Sequence, residues 1–348
     1  MHMRHSDASR LVPHARRPVL LNALAPALIA ALAGLGGLIV AGCPGQTGNT
    51  DTVVDGRQFG PGTHSLNITA NGRARTWTLH LPPTFVHGEP APVVFLLHGL
   101  AGNGRQFLTD SGWDAAADTH GFIAVAPDAL GANPNAAPNV VTNPRTWTAT
   151  QFSLGGETTN RDVLFFDALL ARVQELLGFS IDEVFVAGHS NGGSMTFVLA
   201  SERGNRIAAA GIVASHWIGV GPAPDPAVPT LYIVGAVDPL APLTGGATDE
   251  FGNTTPSINF TLTRWALALG CDTPAREVSD VGGLRTVEFD GCNQAATFRA
   301  LFIEGQGHTW PGQPAPPLPE GAFGPATDLL DATATIWDFF ATSGRAPS

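Results

Sequence analysis

This 348-residue sequence predicts one α/β domain built on a doubly wound, mostly parallel sheet with a leading β-hairpin, and three observations carry that prediction. Short apolar runs alternate along the chain with longer helical patterns. An Asn-Gly dipeptide separates two alternating segments ahead of the first such run. Hydrophobic residues make up 44% of the chain and charged ones only 14%, which supplies a sizeable core and excludes a disordered or coiled-coil chain.

The hairpin comes first, because His64 to Leu81 holds two alternating runs around Asn71-Gly72, the dipeptide that best adopts the positive φ angles of a tight turn. Val93 to Leu97, Phe122 to Ala126, Val184 to Ala187, Ala208 to Val213, Thr230 to Val234 and Phe298 to Ile303 then read as parallel strands buried on both faces. Between them, Gly104 to His120, Arg161 to Leu177, Gly193 to Arg203 and Ser257 to Leu269 are each long enough for a crossover helix, and Ala326 to Ala341 supplies a closing one. Gly131 to Gly156 and Gly219 to Pro229 are rich in Pro, Asn and Gly and follow strands, where such folds place ligand-contacting loops.

At the N-terminus, Arg4, Arg10, Arg16 and Arg17 precede an uncharged, mostly apolar run from Val19 to Val40, the layout of an export signal. The run ends in Val40-Ala41-Gly42-Cys43, which resembles the lipobox of bacterial lipoproteins. That resemblance implies cleavage before Cys43 and a diacylglyceryl group on its sulfur. Residues 1–43 are then a signal peptide, 44–58 a flexible tether and 59–348 the folded domain, exported and held to a cell-envelope membrane by its lipid. An uncleaved transmembrane anchor and free secretion are the alternatives, since 22 uncharged residues can span a bilayer. Beyond residue 43 there are 14 basic and 28 acidic residues, so nucleic acid is not an expected partner and neutral or weakly charged ligands are favoured. Cys271 and Cys292 lie 21 positions apart, and in an oxidising compartment they are expected to form a disulfide; no metal-ligand cluster accompanies them.

The strongest chemical signal is Val184-Phe185-Val186-Ala187-Gly188-His189-Ser190-Asn191-Gly192-Gly193, an apolar strand running through Gly-X-Ser-X-Gly into a helical pattern. This is a nucleophile elbow: the sharp turn presents the Ser190 hydroxyl above the sheet, and glycines stand where side chains would collide with strand and helix. A serine hydroxyl needs a base to take its proton, and imidazole is matched to neutral pH. In folds carrying this elbow the acid and then the base follow the serine. His216 comes too early for that order, whereas His308 lies in Ile303-Glu304-Gly305-Gln306-Gly307-His308, a Gly-flanked loop after the last predicted strand. Asp238, at the end of Leu231-Tyr232-Ile233-Val234-Gly235-Ala236-Val237, is the expected orienting carboxylate; Asp249 and Glu250 compete for the role but follow a Gly-rich loop and no strand. Backbone N–H groups of Asn191 and of Leu100, in His98-Gly99-Leu100-Ala101-Gly102, are the expected oxyanion donors. His98, Trp147 and Trp310 are candidate substrate-pocket residues, with bracing or core packing as the competing role for each.

Together these motifs resemble the poly(3-hydroxybutyrate) depolymerase and feruloyl esterase group of α/β-hydrolases, lipoprotein members included. The likeness spans about Gly62 to Phe340 and rests on "LHLP", "LLHGLAGNG", "SGWDAAADTHGFIAVAPD", "VFVAGHSNGGSMT", "DPLAP" and "EGQGHTWPG", in the group's order. It implies an α/β-hydrolase fold, Ser190, Asp238 and His308 as catalytic residues, no cofactor, and an acyl-enzyme route on feruloyl-type, short-chain or 3-hydroxybutyrate oligomer esters. Members of the group often carry Cys after the "HG" of the oxyanion loop, bracing it by a disulfide, where this chain has Leu100. Depolymerases acting on solid polymer usually add a substrate-adsorbing domain, and this chain ends soon after its last predicted helix, so soluble small-molecule or oligomeric esters are the expected substrates. A serine peptidase or acyltransferase on the same triad, and a non-catalytic surface lipoprotein that kept the elbow as scaffold, are the competing classes.

Overall fold

Asn71 and Gly72 take φ angles of 53° and 73° and join β1 (Gly62–Ala70) to β2 (Arg73–Leu81) through a two-residue turn, so that Ala70 faces Arg73 in antiparallel register. The computed structural model describes residues 59–149, 161–182, 184–217, 221–248, 254–314 and 320–344. The expected signal peptide, Cys43 and the tether lie outside the described residues, as do Asp249 and Glu250 and parts of the two Pro/Asn/Gly-rich stretches.

After the hairpin come β3 (Val93–Leu97), α1 (Gly104–Asp110), α2 (Trp113–His120), β4 (Ile123–Pro127), α3 (Arg161–Leu177), β5 (Val184–His189), α4 (Asn191–Glu202), β6 (Ile207–Val213), β7 (Thr230–Gly235) and α5 (Ile258–Ala268). The described chain closes with β8 (Arg276–Val281), β9 (Leu284–Phe289), β10 (Phe298–Ile303), the short α6 (Glu320–Phe323) and α7 (Ala332–Ser343). All ten strands form one sheet in the order β1-β2-β4-β3-β5-β6-β7-β10-β9-β8. The six strands from β4 to β10 are mutually parallel, and an antiparallel hairpin flanks them at each edge.

The parallel strands are continuous apolar runs because both of their faces are covered. On one face α1, α2 and α7 pack through Leu108, Trp113, Ala117, Ile336, Trp337 and Phe340 against Val94, Leu96, Ala124 and Ile233. On the other, α3, α4 and α5 bury Phe165, Leu169, Met195, Phe197, Leu262 and Trp265 against Phe95, Val186, Ile212 and Tyr232. The buried positions of α3, from Val163 through Phe166, Leu169, Leu170, Val173 and Leu177, recur at helical spacing and make one apolar stripe. The Asp331 carboxylate caps the first turn of α7 by accepting from the Ala334 N–H at 2.9 Å.

The expected doubly wound sheet with its leading hairpin is present, and the structure corrects several details. The single helix expected over Gly104 to His120 is broken at Ser111-Gly112, where Gly112 takes a φ of 75° and restarts the chain as α2. The closing helix begins at Ala332, six residues later than expected, and the helix after the elbow begins at Asn191. The β8–β9 hairpin was not expected, because every residue of β8 is exposed and the strand has no apolar face to reveal it. Its turn, Gly282-Gly283 with φ angles of 64° and 81°, is the sequence signal that marks it. Cys271 and Cys292 are joined in a disulfide that ties the end of α5 to the end of β9 across 21 positions, a loop closure worth roughly 3 kcal/mol.

Candidate active site

Four parallel strands, β3, β5, β7 and β10, deliver the candidate residues from their C-terminal ends, the edge at which α/β sheets bind ligands. Immediately after β5, Ser190 takes φ 54° and ψ −123°, a left-handed conformation costly for any residue with a Cβ. The turn holds because its surroundings fix it: Ser190 N–H donates to the Val213 carbonyl at 3.0 Å, and the Ser215 hydroxyl donates to the Ser190 carbonyl at 2.7 Å. A Cβ on Gly188 would lie 2.4 Å from the Gly192 carbonyl oxygen, and one on Gly192 would lie 2.0 Å from that of Leu97, so the elbow closes only with glycine at both places.

His308 Nε2 lies 2.8 Å from Ser190 Oγ, and His308 Nδ1 lies 2.7 Å from Asp238 Oδ2. The other carboxylate oxygen of Asp238 accepts from the N–H groups of Leu240 at 2.8 Å and Ala241 at 2.7 Å. Burial alone would raise this carboxyl, but His308 beside it and those two amides outweigh burial and hold it below the ordinary carboxylate range. An ionised Asp238 makes His308 Nδ1 the donor, which leaves Nε2 as an acceptor facing the serine hydroxyl. The loops carrying acid and imidazole are bonded to each other, Ala236 N–H to Ile303 O at 2.8 Å and Val237 N–H to Gln306 O at 3.1 Å. The His308 loop is further held by Gly307 N–H on Pro325 O at 2.7 Å and His308 N–H on Phe323 O at 2.5 Å.

Of the two expected oxyanion donors, Asn191 opens α4 directly after Ser190, and Leu100 lies in the loop after β3. Within that loop Ala101, at φ 63°, gives its own N–H to Arg145 O at 2.8 Å, whereas the Leu100 amide meets no acceptor among the described residues. Of the two roles open for each pocket candidate, the structure places all three in the bracing or core-packing one. His98 is only 1% exposed: Nδ1 donates to Gly99 O at 2.6 Å and Nε2 accepts from Ala129 N–H at 3.1 Å, so it braces the loop from behind. Trp147 is buried with its indole N–H on His98 O at 2.8 Å. Trp310 is buried against Phe107 and Trp113 and donates to Thr333 Oγ1 at 2.9 Å, a core position under the His308 loop.

Two further residues, Gln306 and His189, have roles that their motifs do not announce. Gln306 is fully buried; its amide donates to Thr309 Oγ1 at 2.7 Å and its oxygen accepts from Thr327 N–H at 2.9 Å, which stitches the His308 loop to the segment before α7. His189 packs its ring 5.0 Å from that of His308. Burial, reinforced by the neighbouring His308, pushes His189 down to about 3, and burial pushes His98 down to about 4. Both imidazoles stay neutral in the folded protein while the unfolded chain protonates them below about 6.5. Their contribution to stability is therefore complete above about pH 6.5 and is lost as pH falls toward 4 and then 3, by on the order of 3 to 5 kcal/mol each. Urea midpoints taken from about pH 7 to about pH 4 should fall steadily; a flat profile would refute the assignment of two neutral buried imidazoles.

Comparison with known proteins agrees with this architecture. Residues 68–226 match the "Putative esterase" family. The chain is 29% identical over 301 residues to "Putative esterase NocK" of Nocardia uniformis subsp. tsuyamanensis, covering 80% of this chain and 82% of that one. It is 28% identical over 253 residues to feruloyl esterase C of Emericella nidulans, covering 69% and 81%. Among solved structures, that of "sOPH Native" overlays 85% of this chain and 92% of its own with a TM-score of 0.54 at 14% identity, a likeness of fold.

Proposed function

We propose that this protein, a carboxylic ester hydrolase with the α/β-hydrolase fold, cleaves feruloyl-type or short-chain esters through an acyl-enzyme on Ser190. The observation that carries the proposal is the unbroken chain from Ser190 Oγ to His308 to Asp238, seated on a strained elbow beside a free loop amide. In the first half-reaction Ser190 Oγ bonds to the ester carbonyl carbon as its proton passes to His308 Nε2, and the carbonyl oxygen becomes an oxyanion held by the N–H groups of Leu100 and Asn191. Collapse breaks the bond to the alkoxy oxygen, which leaves as alcohol with the proton from His308. Water then repeats the sequence on the acyl-enzyme and releases acid and free Ser190. Asp238 stays ionised throughout and stabilises the imidazolium.

The feruloyl preference is supported by the relatives of that name, and 3-hydroxybutyrate oligomers are the alternative acyl class from the sequence resemblance. The protein acts outside the cytoplasm: the apolar run to Val40 and the Val40-Ala41-Gly42-Cys43 sequence support a signal segment over 1–43 that is cleaved before Cys43, lipidation of Cys43 as the first mature residue, and a tether over 44–58 that carries the 59–348 catalytic domain at a membrane. The test is a comparison of p-nitrophenyl acetate, butyrate and octanoate, methyl ferulate and 3-hydroxybutyrate oligomers. Methyl ferulate and the two shorter aryl esters should exceed the octanoate by at least about tenfold in kcat/KM. Absence of turnover on every ester would overturn the proposal.

A further inference from the structure

The two oxyanion donors assigned above sit on different elements, Leu100 on the loop after β3 and Asn191 at the start of α4, and one short segment touches both. Residues Arg145 to Thr148 cross between them. On the β3 side, Arg145 O accepts from Ala101 N–H at 2.8 Å and the Trp147 indole donates to His98 O at 2.8 Å, so the loop is gripped on either flank of Leu100. On the elbow side, the Asn191 side chain reaches back: its Oδ1 accepts from Trp147 N–H at 2.7 Å and from Thr146 Oγ1 at 3.4 Å, and its Nδ2 donates to Trp147 O at 3.4 Å.

The segment is itself anchored deep in the protein. Thr148 donates through both N–H and Oγ1 to Asp162 Oδ2, each at 2.8 Å, and the buried Arg75 guanidinium donates to Asp162 Oδ1 at 2.8 Å while stacking 3.7 Å over Phe165. Asp162 and Arg75 are 2% and 3% exposed. A charge-assisted contact of this kind, with the remaining lone pairs filled by Thr148, is rigid and expensive to break. A continuous bonded path thus runs from the ion pair between β2 and α3 to both edges of the place where an oxyanion would sit.

We infer that the Asn191 side chain and Trp147 are positioning residues that fix the separation of the two oxyanion donors, the segment 145–148 serving as the strap between them. The inference rests on the proposed use of the Leu100 and Asn191 amides. A donor helps only where it meets the charge that develops in the transition state, so a strap that sets its place acts on kcat and leaves ground-state binding alone.

The test uses Trp147→Phe, which keeps an aromatic ring and removes the indole N–H, and Asn191→Ala, which keeps the backbone amide and removes the side chain. Wild type and Ser190→Ala are assayed first on p-nitrophenyl butyrate; an active Ser190→Ala would sink the underlying reading and not the strap specifically. Each strap variant should lose about tenfold in kcat and the same factor in affinity for a trifluoromethyl ketone, which binds as a tetrahedral adduct, with KM within about twofold of wild type. The double variant should lose little more than the worse single one, because both changes release the same strap. Loss in KM with kcat and ketone affinity intact, or losses that multiply in the double variant, would overturn the inference. If Trp147→Phe does not fold, Asn191→Ala and the more conservative Thr148→Val carry the same expectation, and unchanged kcat in whichever of them folds would equally overturn it.

Discussion

Replacing Ser190 with Ala should lower kcat on p-nitrophenyl butyrate by roughly 10⁵- to 10⁶-fold while leaving the fold intact. The size follows from the mechanism: without Oγ there is no acyl-enzyme, and only binding and the oxyanion donors remain to assist water. The fold should persist because the turn is held by main-chain atoms, the Ser190 N–H on Val213 O and the Ser190 carbonyl under the Ser215 hydroxyl, and alanine carries the same Cβ. Steady-state kinetics beside a thermal melt separates the two effects. A loss below about tenfold with an unchanged melt would mean that another group is the nucleophile.

Asp238→Asn should cost about 10⁴-fold in kcat, a loss with a different origin. The Asp238 Oδ1 that accepts from Leu240 and Ala241 is held by two amides, so the asparagine oxygen will take that place and its NH2 will face His308 Nδ1. The imidazole must then accept at Nδ1 and carry its proton on Nε2, where it points at Ser190 Oγ and cannot take the hydroxyl proton. Near-wild-type activity for Asp238→Asn would place the orienting carboxylate elsewhere.

Much of this architecture is legible in the residues themselves. The central strands are long apolar runs bounded by turn residues, and Val93–Leu97 and Phe298–Ile303 are found where the pattern puts them. Asn71-Gly72 marks its hairpin through local φ preference, and the elbow is marked by glycines that the strand and helix leave no room to replace. What stays hidden depends on pairings distant in sequence. Trp147 and His98 are 49 positions apart, Trp147 and Asn191 are 44, and Arg75 and Asp162 are 87, so no local pattern announces the strap or its anchor. His98 is a related case: its place in the HGL motif admits substrate contact or bracing of the loop, and the N–H that occupies its Nε2 comes from Ala129, 31 positions away. The break in Gly104–His120 is the intermediate case: Gly112 was visible as a glycine, but only packing decides that it turns left-handed rather than continuing a helix.

Under the proposed mechanism Ser190 becomes covalently acylated during turnover. Rapid mixing with excess p-nitrophenyl acetate, acid quenching and mass measurement of the digested protein test it directly. The mechanism predicts a burst of p-nitrophenol stoichiometric with enzyme, with one acetyl group on the peptide that carries Ser190 and none on it in His308→Ala. An acetyl group on any other residue at burst stoichiometry, or ester turnover with Ser190 unmodified and fully replaceable by alanine, would contradict it.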